Sequence, residues 1–163
     1  MTPRWVCELL DRHGVHYEQL HRPEGFTELD LAAPEHGARP CAAEVLVAVA
    51  DGRLIELVFP VNHWADLERV RELLQCHEVR PATQEELQQS YPGCKPGAVP
   101  PLHRSPSSDV IVDRWVDINS DIVFLAGTDH DAIRMPIREW FEMVNPRLAS
   151  FSQPVESPAA TGS

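Results

Sequence analysis

At 163 residues the chain has the length of one domain, and its 43% hydrophobic and 24% charged content is ordinary for a globular protein. Its net charge of -11, from 25 acidic and 14 basic residues, opposes generic DNA binding, since polyanions are held mainly by Lys and Arg against phosphates. No run approaches a membrane span and the N-terminal stretch lacks a charged-then-apolar leader pattern, so the expected compartment is the cytoplasm, with no membrane partner.

The chain opens with an amphipathic helix through Leu10 to His13, ended by Gly14, and Val15 to Leu20 alternates as a short strand does. Thr27 is placed to cap a helix over Glu28 to Glu35, which His36-Gly37 stops. Val45 to Val49 and Leu54 to Phe59 are strand-like, and Asp51-Gly52 between them is a hairpin turn. Apolar residues on both faces of the first run predict a central strand covered on both sides. Asp66 caps a helix with Leu67, Val70, Leu73 and Leu74 on one stripe, and Thr83 to Glu86 forms a capping box that opens a helix toward Gln89.

A glycine-proline loop follows, Cys94-Lys95-Pro96-Gly97-Ala98-Val99-Pro100-Pro101-Leu102. Pro100 and Pro101 fix φ and remove two donors, while Gly97 lets a ligand approach the backbone closely. Leu102 to Ser108 reads as irregular, and strands are expected at Val110 to Val112, Ile122 to Leu125 and Ala132 to Met135. Pro136 suits the first turn of a last helix carrying Ile137, Trp140, Phe141 and Val144 on one face. The Ser, Pro and Thr-rich stretch from about Ser150 has the composition of a disordered tail, so the expected folded unit is 1–149 with a tail over 150–163. Strands and helices mix without a strict βαβ rhythm, which makes the fold class α+β.

Cys7, Cys41, Cys76 and Cys94 are widely spaced, with no CxxC pair, and are expected as free thiols. Lys95 is the only lysine. Asp129-His130-Asp131 has the composition of a metal site, but adjacent residues of an extended segment point to alternate faces, so no metal and no cofactor are expected.

Four segments together resemble the YbaK/EbsC family, relatives of the editing insertion of prolyl-tRNA synthetase. They are Phe26-Thr27-Glu28 with Ala32, Phe59-Pro60 through His63 to Asp66-Leu67, Gly97 to Pro101 as a GxxxP loop, and Ala126-Gly127 followed by Ile133 to Met135. The resemblance spans roughly Leu9 to Phe151. It implies a twisted, mixed and largely antiparallel sheet curled around a pocket, with peripheral helices. It also implies a deacylase that hydrolyses the ester of mischarged tRNA. Its partners would be the aminoacyl-tRNA 3′ end and an aminoacyl-tRNA synthetase.

In that family the GxxxP loop presents backbone amides to the substrate carbonyl. The resemblance therefore implies catalytic roles for Gly97 and Pro101, substrate contact by Ala98, Val99 and Pro100, and an opposite wall at Gly127. Thr27 is a helix cap that also stands as a pocket candidate, and His130 is either a general base or part of a solvated turn. Glu44 either faces the pocket or interrupts a strand edge. The chain departs from the family where a lysine is usual, carrying Cys41-Ala42-Ala43-Glu44-Val45 there. It also carries Leu102-His103 after the two prolines and Thr128-Asp129-His130 after Ala126-Gly127. The alternatives are a noncatalytic binding module for a small ligand or protein partner, and an enzyme for another small ester or amide.

Overall fold

The Asp51-Gly52 turn sets the centre of the molecule. Both residues have positive φ (46° and 84°), the pairing that a tight hairpin of right-twisted strands requires. It joins β2 (Cys41–Ala50) to β3 (Arg53–Pro60) in antiparallel register from Ala43↔Pro60 to Ala50↔Arg53. The computed structural model describes residues 1–31, 41–102, 109–116 and 119–155.

Before the hairpin come α1 (Arg4–His13), β1 (Glu18–His21) and α2 (Glu28–Leu31); after it come β4 (His63–Ala65), α3 (Leu67–Leu74), β5 (Val79–Pro81) and α4 (Gln84–Ser90). The last part holds β6 (Asp109–Asp113), β7 (Asp121–Leu125), β8 (Asp131–Pro136), α5 (Ile137–Val144), β9 (Arg147–Ala149) and β10 (Ser152–Pro154). The main sheet runs β1-β8-β7-β2-β3-β6-β9, with β5 also on β2, and β4 pairs with β10 apart from it. The pairings of β2 with β7, β3 with β6 and β6 with β9 are parallel, and the others are antiparallel. The α+β class and the mixed, largely antiparallel sheet are thus as expected.

Alternation along β3 divides the core in two. Val58 joins Val6 and Leu10 of α1 and Ile137, Trp140 and Val144 of α5 on one face. Ile55, Leu57 and Phe59 point the other way, onto Val70 of α3 and Phe151. With both faces covered, β2 and β3 read as largely apolar runs, broken by Glu44 and Glu56. Helix ends follow the local chemistry: Gly14 at φ 66° closes α1, Asp66 accepts from the Arg69 amide at 3.2 Å, and Thr83 and Glu86 form a reciprocal capping box.

The differences from expectation lie in short elements. β4, β5, β9 and β10 are three residues each, too short for an alternating pattern to stand out. The expected tail is corrected at its start: Phe151 is buried, and Ser152 to Pro154 pair with His63 to Ala65, so the ordered chain passes 149. The Asp113 carboxylate, itself buried, accepts from the amides of Phe151 and Ser152 at 2.8 and 2.9 Å and holds this segment against the sheet. Residues 32–35 of the helix expected after Thr27, its stop at His36-Gly37, the 103–108 segment and 156–163 lie outside the described residues.

Candidate active site

The site begins as a gap beside β2. On one edge β2 pairs continuously with β3 from Ala43 to Ala50. On the other, only Cys41 and Ala42 meet β7, at Ile122 and Val123, and only Ala48 to Ala50 meet β5. β7 and β5 diverge from the same edge, leaving a stretch between Ala43 and Leu46 that no described strand covers on that side. A cavity of about 200 Å³ opens there, walled by Phe26, Leu31, Val61, Phe124 and Leu125, with Ala43, Glu44 and Val45 of β2 and with Gly97 and Val99. Among the described lining residues Glu44 is the one carboxylate, and the others are apolar or glycine.

The glycine-proline loop crosses this gap and is fastened on both sides. After α4 the Cys94 amide donates to the Tyr91 carbonyl at 3.1 Å. The Lys95 amide then donates to the Gly127 carbonyl at 2.7 Å, and the Gly127 amide donates to the Ala98 carbonyl at 2.7 Å. The Trp140 indole N–H donates to the Pro101 carbonyl at 2.8 Å, with Trp140, Pro100 and Pro101 all buried. Below the loop the Tyr91 hydroxyl donates to the buried Glu56 carboxylate at 2.8 Å. Burial and then the Glu56 charge push the Tyr91 hydroxyl up, so it stays a donor.

What this leaves is specific. Pro96, Pro100 and Pro101 have no amide hydrogen, and those of Lys95 and Ala98 are used within the loop and its anchor. Among the described residues, the Gly97 and Val99 amides make no hydrogen bond, and both residues line the cavity. Gly97 has φ 85°, and a Cβ built there meets nothing within 4 Å, so the backbone borders open space. Two donors on a pinned backbone, beside an apolar hollow, can hold a carbonyl oxygen and the negative charge it gains during attack.

The structure separates the other expected residues by place. Ala98, Pro100 and Pro101 are buried and support the loop without lining the cavity. Gly127 pins the loop through its two backbone bonds and packs on Pro3, where a Cβ would lie 2.3 Å from the proline Cδ. Thr27 caps α2, exchanging hydrogen bonds with Asp30 at 2.9 and 3.2 Å, and its neighbour Phe26 lines the cavity. His130 stands outside the lining, with Nδ1 3.3 Å from the Arg22 carbonyl and Nε2 3.6 Å from Asp129.

Lys95 donates to Asp129 at 3.2 Å, and that contact holds the Asp129 carboxyl below its ordinary range. Asp131 turns instead to Thr128 at 2.6 Å and His21 at 2.9 Å. His63 Nδ1 lies 3.1 Å from the Ser152 hydroxyl, and burial lowers its pKa despite the Asp113 charge. Leu31, Val61, Phe124 and Leu125 are the lining residues that sequence reasoning did not single out. A pocket wall and a core residue carry the same apolar signature, so no pattern distinguishes them.

The family described as the aminoacyl-tRNA editing domain matches residues 12–143. A solved structure of a "putative trans-editing enzyme for prolyl tRNA synthetase" superposes with a TM-score of 0.79 at 21% identity, covering 94% of this chain and 99% of that one. The hypothetical protein APE2540 gives a TM-score of 0.76 at 21% identity, covering 91% and 99%. The crystal structure of a "putative signal transduction protein" from Marinobacter aquaeolei VT8 gives 0.68 at 16% identity, with 93% of this chain on 31% of that one. Comparison with curated proteins finds no match. At these identities the structural likeness speaks to the fold.

Proposed function

The chain belongs to the aminoacyl-tRNA editing domain family, and on that premise we propose that it hydrolyses the ester of mischarged tRNA in trans, in the cytoplasm. The observation that carries the reading is the pair of unbonded amides, Gly97 and Val99, on a loop fastened to Gly127 and Trp140. Water adds to the ester carbonyl carbon, and the oxygen that becomes negative lies against these two N–H groups. The C–O bond to the ribose then breaks, and the ribose oxygen leaves with a proton. Because the donors are already oriented, stabilising that charge needs no rearrangement at the moment of reaction. The proton goes by way of water or the neighbouring ribose hydroxyl, as the family resemblance implies, which asks for no side-chain nucleophile.

The apolar walls take a small side chain, and Glu44 stands on the lining where the family usually has a lysine nearby. The deciding experiment is deacylation of a panel of mischarged tRNAs by wild type and Gly97→Ala. Hydrolysis above the uncatalysed rate, falling at least tenfold in the variant, is expected; no hydrolysis of any member overturns the enzyme reading.

Glu44 also favours a second reading, a binding module on the same scaffold. Glu44→Lys separates the two. Activity lost on substitution assigns Glu44 a part in the reaction, whereas activity gained from an inert wild type means the scaffold has given up its chemistry.

A further inference from the structure

A second hollow, of about 330 Å³, adjoins the first. It shares Glu44, Val45, Gly97 and Val99 with it and extends to His63 and Trp64 of β4. Glu44 and Val45 are consecutive in a strand and so face opposite sides; a hollow lined by both lies at the strand's edge. The two hollows therefore meet at the uncovered edge of β2, with the Gly97 and Val99 amides common to both.

Trp64 lines this hollow and is 48% exposed, so its indole face is open to a ligand there. Beside it His63 stacks at a tilt on Trp115, with ring centroids 5.4 Å apart and Trp115 62% exposed. Burial disfavours the charged form of His63, so it presents a neutral ring. The hollow thus ends at the Trp64 indole, with His63 next to it in β4.

Resting on the deacylase reading, we infer that this second hollow holds the 3′-terminal nucleoside of the substrate, with its base against Trp64. The chemistry of the ester sets the layout. The amino acid is attached to the terminal ribose, so a carbonyl held at the shared amides places the side chain on one side and the nucleoside on the other. The smaller hollow suits the side chain, and the larger one, which reaches Trp64, suits the base.

Charge points the same way. With 25 acidic against 14 basic residues, and Lys95 committed to Asp129, phosphate contacts are a poor source of affinity, whereas stacking works without charge.

The test measures binding of an uncharged single-stranded RNA ending in CCA to wild type, Trp64→Phe and Trp64→Ala, with thermal melts as a fold control. Truncation to alanine is expected to weaken binding by about tenfold or more, with phenylalanine keeping most of it. The dependence of log Kd on log salt is expected to be shallow, of about one charge or less. In wild type, added adenosine should shift the Trp64 indole N–H resonance and leave that of buried Trp140 in place; this readout does not depend on any variant folding. Unchanged binding by Trp64→Ala, a steep salt slope, or an unmoved Trp64 resonance each overturns the inference. Deacylation with an unaffected KM in Trp64→Ala overturns it while sparing the deacylase reading. Trp64-dependent binding by a protein that hydrolyses nothing does the reverse.

Discussion

Two glycines with similar backbone conformations do different work. At Gly97 the only obstacle to a side chain is φ 85°, a left-handed conformation costing an L-residue about 1–2 kcal/mol. Gly127 carries φ 96° as well, and its Cβ would collide with Pro3 at 2.3 and 2.9 Å. Gly127→Ala must move Pro3 or shift the backbone that pins Lys95 and Ala98. We predict that Gly127→Ala lowers the melting temperature more than Gly97→Ala, while both reduce deacylation. A Gly97→Ala protein less stable than Gly127→Ala would show that the Pro3 contact is not the tight one. Sequence alone made both glycines legible as special, because a glycine beside prolines or after a buried alanine marks a backbone need. Which one faces the cavity was not legible, since that depends on Pro3, far away in the chain.

At the level of elements, the turn joining β7 to β8 is tied to β1 through Asp131. Thr128 and His21 donate to its two oxygens, the Met1 amine lies 3.1 Å away, and the Ala126 amide meets its carbonyl. Burial alone would raise this carboxyl, but the hydrogen bonds prevail and hold it at about 2. An ordinary aspartate titrates near 3.9, so the stabilisation is fully present above about pH 4 and is lost as pH falls through about 2. Melting temperatures from pH 5 to pH 2 should fall less steeply for Asp131→Asn than for wild type. A parallel fall in both would mean that other carboxylates set the acid limit.

The same comparison shows where sequence reading succeeded and stopped. The β2–β3 hairpin, α3, α4 and α5 carry their own caps, turns and stripes, so they were legible. β4, β5, β9 and β10 form because distant partners pair with them, and nothing within three residues announces that.

Over the whole molecule, the site is a product of topology more than of any one motif. Its two amides come from the loop after α4, its fastening from Gly127 and Trp140, its walls from Phe26, Val61 and Phe124, and its edge from β2. No catalytic signature was present to be read, because the proposed chemistry rests on backbone N–H groups that every sequence possesses.

The divided edge of β2 also has a consequence in time. The hairpin with β3 closes across two residues, whereas the contacts of Cys41 with Ile122 and of Lys95 with Gly127 close long loops and are slow to form. The chain therefore acquires its core strands before it acquires its cradle. Pulse-labelled hydrogen exchange during refolding should protect the amides of Leu46 and Leu57, which face each other across the hairpin, before those of Lys95 and Gly127; simultaneous protection would refute this order. A nascent chain stalled between the two stages would be nearly folded and without activity.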